Sequence, residues 1–255
     1  MRVVPAVRPR DSGSGRSDGI GRHAGIGDDD GIASVRRHTM KLSTRFSKTL
    51  RPYTGKELRP HFLLTEMGLR GSALGAFVGP CDVKTEQLVD WEDRLKNDSI
   101  QAKEMLHVIG EFFGASLREG VLLQRLWVAV LGDQVREILL RGRSGGGDGE
   151  DPAVRRIHRE QYDRLLQEGP ERDGDDLFFG ERKLTVSIVT ASPVSQLFHL
   201  GINLDPEGAP VSAIGLYEMG LERGDIPRWG QSLLDAFSQE VDGMEWACAK
   251  VRPVF

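Results

Sequence analysis

The segment Gly180–Asn203, GERKLTVSIVTASPVSQLFHLGIN, is the stretch on which the fold class turns. Gly180-Glu181 sits between LFF and RKLTVSIV and has the form of a Gly-X hairpin turn. Beyond it Leu184, Val186 and Ile188 alternate with Lys183, Thr185 and Ser187, and alternate side chains of a strand point to opposite faces. ASPVSQ reverses the chain; Phe198, Leu200, Ile202 and Leu204 return as an apolar set with His199, Gly201 and Asn203 opposite. A reversal centred on Pro193 pairs Ser187 with His199, Thr185 with Gly201 and Lys183 with Asn203. All six then share one polar face, which either meets water or looks into a cleft. Gly201 favours the cleft, because glycine inside a strand weakens it and marks close approach of a backbone or ligand.

Outward from this hairpin, SALGAFVGPCDV (Ser72–Val83) reads as a strand closed by turn chemistry at GPCD. SIQAKEMLHVIGEFFG places Ile100, Met105, Val108, Ile109, Phe112 and Phe113 at helical spacing behind Asp98 or Ser99 as N-cap, so a helix is expected there. A longer helix from about Ser116 to Leu140 repeats Leu117, Val121, Leu122, Leu126, Val130, Leu131 and Val135. A C-terminal helix, WGQSLLDAFSQEV, and a last strand, MEWACAKV, complete the pattern. Helices in the middle and strands at both ends make the class α+β, a mixed or antiparallel sheet with packed helices.

The chain has 255 residues, 39% hydrophobic and 28% charged, enough for one sizeable core. Residues 1–45 hold no aromatic side chain and read as a disordered tail; residues 46–255 are expected to form a single domain. A surface insertion is expected at about 141–176, from the linker-like RGRSGGGDGED through a helix begun by Pro152 to PERDGDD. RGRSGGGDG lacks the preceding strand and the Gly-Lys-Ser/Thr ending of a phosphate loop. A net charge of −4 argues against nucleic acid or an anionic membrane as partner, since that attraction needs clustered excess Lys and Arg. VLLQRLWVAVLG, cut by Gln124 and Arg125, falls short of the roughly 18 apolar residues of a membrane span. Cys81 and Cys248 alone make neither a disulfide framework nor a four-thiolate zinc site, so a cytoplasmic location is expected.

Candidate chemistry outside the hairpin is scattered. Cys81 is read as packing before nucleophile, and Cys248 as core. Asp90, Glu92, Asp93, His61 and His107, with Cys81, contain the ingredients of a metal-dependent hydrolase, although their spacing matches no compact metal signature. Arg125 interrupts an apolar helix and needs a carboxylate, from VDWED or from a ligand.

LRPHF, GPCDVKTEQLVDWED, LLQRL, ERKLTVSIVTASPVSQLFHLGIN and AIGLYEMGL resemble, from about Tyr53 to the end, the prokaryotic family described as domain of unknown function 366. DLFFGERKLTVSIV and LFHLGINLD are also similar to the Gly-Arg-Lys strand and following asparagine of biotin protein ligases and lipoyl or octanoyl transferases. That second resemblance implies a biotin/lipoate protein ligase-like, class II synthetase-like fold. It also implies Lys183 at the carboxyl or acyl-phosphate end of a bound acid, with Asn203 nearby. Two departures accompany it: Ile214 stands where octanoyl transferases carry a nucleophilic cysteine, and the Arg- and Gly-rich adenylate loop has no counterpart. The function so implied is binding of a small carboxylic acid or acyl-adenylate and activation or transfer of the acyl group. Lys183, His199 and His107 are its catalytic candidates; Asn203, Ser187, Thr185, Gly201 and Arg125 are its binding candidates. Use of ATP and of an acceptor protein stays open, and a non-catalytic small-molecule module and the metal-dependent hydrolase stand as alternatives.

Overall fold

A computed structural model of the chain describes residues 41–145 and 152–254, with side chains omitted for 152–157. In chain order the elements are β1 (Ser43–Phe46), α1 (Phe62–Met67), β2 (Ala73–Val83), α2 (Trp91–Leu95), β3 (Ile100–Phe112), α3 (Leu117–Ser144), α4 (Pro152–Glu168), β4 (Glu171–Asp173), β5 (Asp176–Phe179), β6 (Arg182–Lys183), β7 (Thr185–Ala191), β8 (Gln196–Asp205) and α5 (Ile226–Ala249). The main sheet has the order β1-β2-β3-β8-β7, parallel at β1-β2 and antiparallel elsewhere; β4-β5-β6 form a second, three-stranded sheet. The α+β class and mixed sheet are as the sequence implies.

The main sheet is covered on both faces. On one, Leu106, Val108, Leu200 and Ile202 meet α3 and α5, where Trp127 packs edge-on against Phe237 with ring centroids 4.3 Å apart. On the other, Met105, Ile109 and Phe77 lie under the segment that carries Tyr53, Phe62 and Leu63. This double burial explains why Ile100–Phe112 has no alternating pattern. A strand apolar on both faces offers apolar residues at every spacing, including the helical one, and the expected helix is instead the strand β3.

Four other expectations are corrected. The expected last strand is the end of α5, which runs to Ala249 and leaves Cys248 exposed rather than in the core. GPCD does not turn; β2 runs through it with a register shift between Gly79 and Cys81, a bulge that accommodates Pro80. The expected tail, 1–45, falls mostly outside the described residues, but Ser43–Arg45 already belong to β1. In the expected insertion, Arg141–Ser144 continue α3, Tyr162 of α4 packs against Gly142, and Leu165 is buried in the main core. Gly142 is thus small to admit an aromatic ring; residues 146–151 lie outside the description. The helix expected from Ser116 starts there, with Ser116 and Glu119 closing a reciprocal capping box.

The hairpin register differs by one residue from the expected one. Ala191 pairs with Gln196, and the register continues through Ile188↔His199, Val186↔Gly201 and Thr185↔Ile202. The cause is the tight reversal at Ser192–Ser195, where Ser192 N–H donates to the Ser195 carbonyl at 2.8 Å and Pro193-Val194 form the tip. A slip of one exchanges the faces of a strand. Val186 and Ile188 therefore share the face of His199 and Gly201, while Thr185 and Ser187 go to the other side, so the six polar residues do not make one face.

Gly79 shows how tightly the second face is closed. A Cβ there would lie 1.9 Å from the Arg51 carbonyl oxygen, because residues 51–53 run beside β2, with Tyr53 N–H donating to the Pro80 carbonyl at 2.9 Å. Gly79→Ala is expected to lower stability by about 1–3 kcal/mol in urea denaturation, the range of overpacking. Gly224→Ala, with open space around its Cβ position, should stay within about 0.5 kcal/mol of the parent.

Candidate functional site

A cavity of about 530 Å³ opens where β8, β7 and β3 meet the start of β5, the end of β6, the α2 region and the Ala209–Ala213 loop. Lys183, Asn203, His199, Ser187, Asp175 and Asp176 all line it, with Met105, Val186 and Ile188 as apolar floor. The volume suits a small organic ligand.

Lys183 is held by its backbone. Its N–H donates to the Ser212 carbonyl at 2.9 Å, and its carbonyl accepts from Ile214 N–H at 3.1 Å and from Asn203 Nδ2 at 3.1 Å. Asn203 thus positions the lysine rather than only waiting for ligand. The ammonium meets Asp176 Oδ2 at 2.7 Å. Thr185, fully buried, accepts from Leu177 N–H at 2.9 Å and lies 3.2 Å from Asp176 Oδ1, so it holds the carboxylate rather than lining the cavity. Burial pushes the Asp176 carboxyl up to about 6, against the opposing pull of Lys183.

Ser187 donates to the Asp175 carbonyl at 2.7 Å and accepts from Gln124 Nε2 at 2.8 Å. Gln124 also donates to Asp175 Oδ2 at 2.7 Å. Arg125 stands half exposed outside the lining, 3.9 Å from Asp175 Oδ1, so its carboxylate is Asp175 on the cavity wall and not one from VDWED. Its apolar surroundings in the sequence misled because α3 is amphipathic, and position 125 lies at the edge of its buried stripe.

His107 is fully buried on β3, and its Nδ1 lies 3.2 Å from His199 Nε2 while its Nε2 lies 3.2 Å from the Gly79 carbonyl oxygen. Tyr53 stacks on His199, centroids 3.7 Å apart and planes 8° from parallel. Burial drives the pKa of both imidazoles down, so both are neutral near pH 7. Gly201 is glycine because a Cβ would meet Met105 Cε at 2.6 Å and Val186 Cγ2 at 3.1 Å on this floor.

The residues proposed for a hydrolase do not converge. Asp90 caps α2 by accepting from Glu92 N–H, and His61 stacks on Phe113 and faces Glu111. Cys81 is buried, its thiol pushed up to about 12 by burial. Among the described residues no group of three or more His, Cys, Asp or Glu side chains is placed to hold a metal ion. Asp175, Asp176, Gln124 and Tyr53 are the site residues that sequence reading missed. The one available signal was the Asp pair immediately before LFF, which the Gly180 hairpin turns back toward Lys183.

Raised from 3.8, the Asp176 carboxyl holds its proton in the folded state at a pH where the unfolded chain has lost it. It therefore destabilises the fold above pH about 6 and is relieved as pH falls through that value. A carboxyl-carbon NMR titration is expected to show a midpoint near 6 for Asp176 and a higher one in Lys183→Met, where the opposing cation is gone. A midpoint in the ordinary carboxylate range would contradict the burial of this group.

A model of the family described as Domain of unknown function (DUF366) matches residues 42–151 and 157–252. A protein of Methanocaldococcus jannaschii is 28% identical over 222 residues, 85% of this chain and 87% of that one. A solved structure of a protein of unknown function from Pyrococcus horikoshi is 28% identical with a TM-score of 0.66, covering 84% of this chain and 100% of the other. The biotin protein ligase from Aquifex aeolicus, solved with biotin and ATP, is similar at 16% identity and a TM-score of 0.42, over 80% of this chain and 72% of that one.

Proposed function

The chain belongs to the family described as domain of unknown function 366, and we propose that its cavity binds a small carboxylic acid, or the acyl-adenylate made from it, and activates or transfers the acyl group. Lys183 carries this reading, as the only Lys or Arg side chain among the described residues that line the cavity. An ammonium held in a cleft neutralises a carboxylate, or charge developing on an acyl oxygen, more strongly than it does in water. The local sequence resemblance at Lys183 and Asn203 points the same way.

In the free protein Asp176 occupies that ammonium. An entering carboxylate shares it, and two carboxylates on one cation raise the proton affinity of one of them. Asp176, already raised by burial and by its neighbour Asp175, takes up that proton. Asn203 keeps Lys183 in place, Ser187 and Gln124 fix the Asp175 wall, and His199, backed by His107, supplies a hydrogen-bonding nitrogen at the floor. No step runs through a protein thioester: no cysteine lines the cavity, and Ile214, at the position of the transferase cysteine, is fully buried in the core. That same observation favours the second reading, a binding module without turnover.

The two readings separate on one assay, ATP-dependent pyrophosphate release over a panel of small acids with wild type and Lys183→Ala. Release with at least one acid, reduced about 100- to 1,000-fold in the variant, is the expected result. Acid binding without release identifies the module; neither binding nor release sinks both.

Acid binding measured by calorimetry is expected to weaken as pH rises above about 6, by up to about tenfold per unit. Asp176→Asn should flatten that profile. A flat profile in the wild type would disprove proton uptake at Asp176.

A further inference from the structure

The remaining cavity wall defines the class of acid, an inference that rests on the carboxylate reading of Lys183. His107 Nε2 lies 3.2 Å from the Gly79 carbonyl oxygen. A carbonyl only accepts, so this nitrogen carries the hydrogen of the neutral ring, and Nδ1 of His107 is an acceptor. His199 Nε2, 3.2 Å away, must then donate to it. His199 is left with an unprotonated Nδ1, which makes no hydrogen bond to any described residue. The ring is 3% exposed and lines the cavity. A relay anchored on a backbone carbonyl therefore ends at the cavity in an acceptor nitrogen that a ligand donor can meet.

Charge on the same wall narrows the donor. Five aspartates, Asp90, Asp93, Asp98, Asp175 and Asp176, line the cavity against the single cation of Lys183. Three are engaged: Asp90 caps α2, Asp175 is held by Gln124, Ser187 and Arg125, and Asp176 by Lys183 and Thr185. Asp93 and Asp98 make no side-chain hydrogen bond or ion pair with a described residue. They are not grouped for chelation of a metal ion. Two carboxylates without a hydrogen-bonded partner and an imidazole lone pair match an alkylammonium, which brings both charge and N–H donors.

We propose that the acid bound beside Lys183 is an amino acid in the broad sense, a small carboxylate bearing a primary amino group whose N–H is accepted by His199 Nδ1 and whose charge is balanced by Asp93 and Asp98. His199 and Asp93 are then specificity determinants that discriminate this zwitterion from a plain fatty acid.

The test is calorimetry of the full chain with ω-amino acids of about four to eight carbons, the matching fatty acids, ω-hydroxy acids and alkylamines. The best amino acid is expected to bind at least about tenfold more tightly than its fatty and hydroxy analogues, the weight of one charge-assisted hydrogen bond. Asp93→Asn, at a partly exposed position, and His199→Phe, which keeps the stack on Tyr53, should each shrink the ratio of amino-acid to fatty-acid affinity. Lys183→Met should weaken every acid. Equal binding of fatty, hydroxy and amino acids, all lost in Lys183→Met, overturns the amino inference and keeps the carboxylate reading. Alkylamines binding as well as amino acids, with no effect of Lys183→Met, keeps the amino site and overturns the carboxylate reading. Binding of none overturns both, and an amino preference unchanged in Asp93→Asn and His199→Phe overturns the assigned residues.

Discussion

The register of β8 is the constraint on which the rest of this molecule depends. From Gln196 to Leu204 every residue of that strand is buried, with β3 on one side and β7 on the other. Phe198, Leu200, Ile202 and Leu204 enter the main core, so His199, Gly201 and Asn203 can only look the other way. A slip of one residue would drive an imidazole and an amide against α3 and α5, where neither finds a partner, and turn four large apolar side chains toward the cavity. The short reversal at Ser192–Ser195 and the apolar pattern agree on one register. The site inherits its rigidity from that agreement.

Polar groups on a buried face must be satisfied, and the second face does this with short chains of hydrogen bonds that end on backbone. His199 leans on His107, His107 on the Gly79 carbonyl, and Asn203 on the Lys183 carbonyl. Tyr53 closes the histidine pair by stacking, and Gly79 has no side chain because residues 51–53 pass too close for one. These contacts hold Lys183, His199 and Asp176 around one space without using the reactive atoms themselves. Preorganisation of that kind is what a binding site needs, since the cost of ordering it falls on folding rather than on ligand binding.

The electrostatics follow from placement. Asp176 begins β5 and Lys183 ends β6, so the Gly180 hairpin brings opposite charges to 2.7 Å in a partly dry cleft. Burial raises the carboxyl more than the lysine lowers it. The carboxyl of the pair is consequently raised to about 6, which that of a solvent-exposed pair would not be.

By itself the sequence determined the α+β class, the β5–β6 turn at Gly180, α3 with its Ser116 cap, the helix from Pro152, and Lys183 and Asn203 as the residues to watch. These features are local: turn chemistry, capping and amphipathic period act within a few residues. It misassigned Ile100–Phe112, because a strand buried on both faces loses its period, and the end of α5, because local β-like composition there is outweighed by continuation of a packed helix. Only the tertiary structure decided the hairpin register, the turning of Thr185 and Ser187 toward β5 and α3, and the approach of Asp175 and Tyr53 to the cavity, with Gln124 behind Asp175. Gln124 lies 51 residues from Asp175 along the chain, and Tyr53 lies farther still from His199. Their meeting depends on sheet order and packing, which no window of sequence contains.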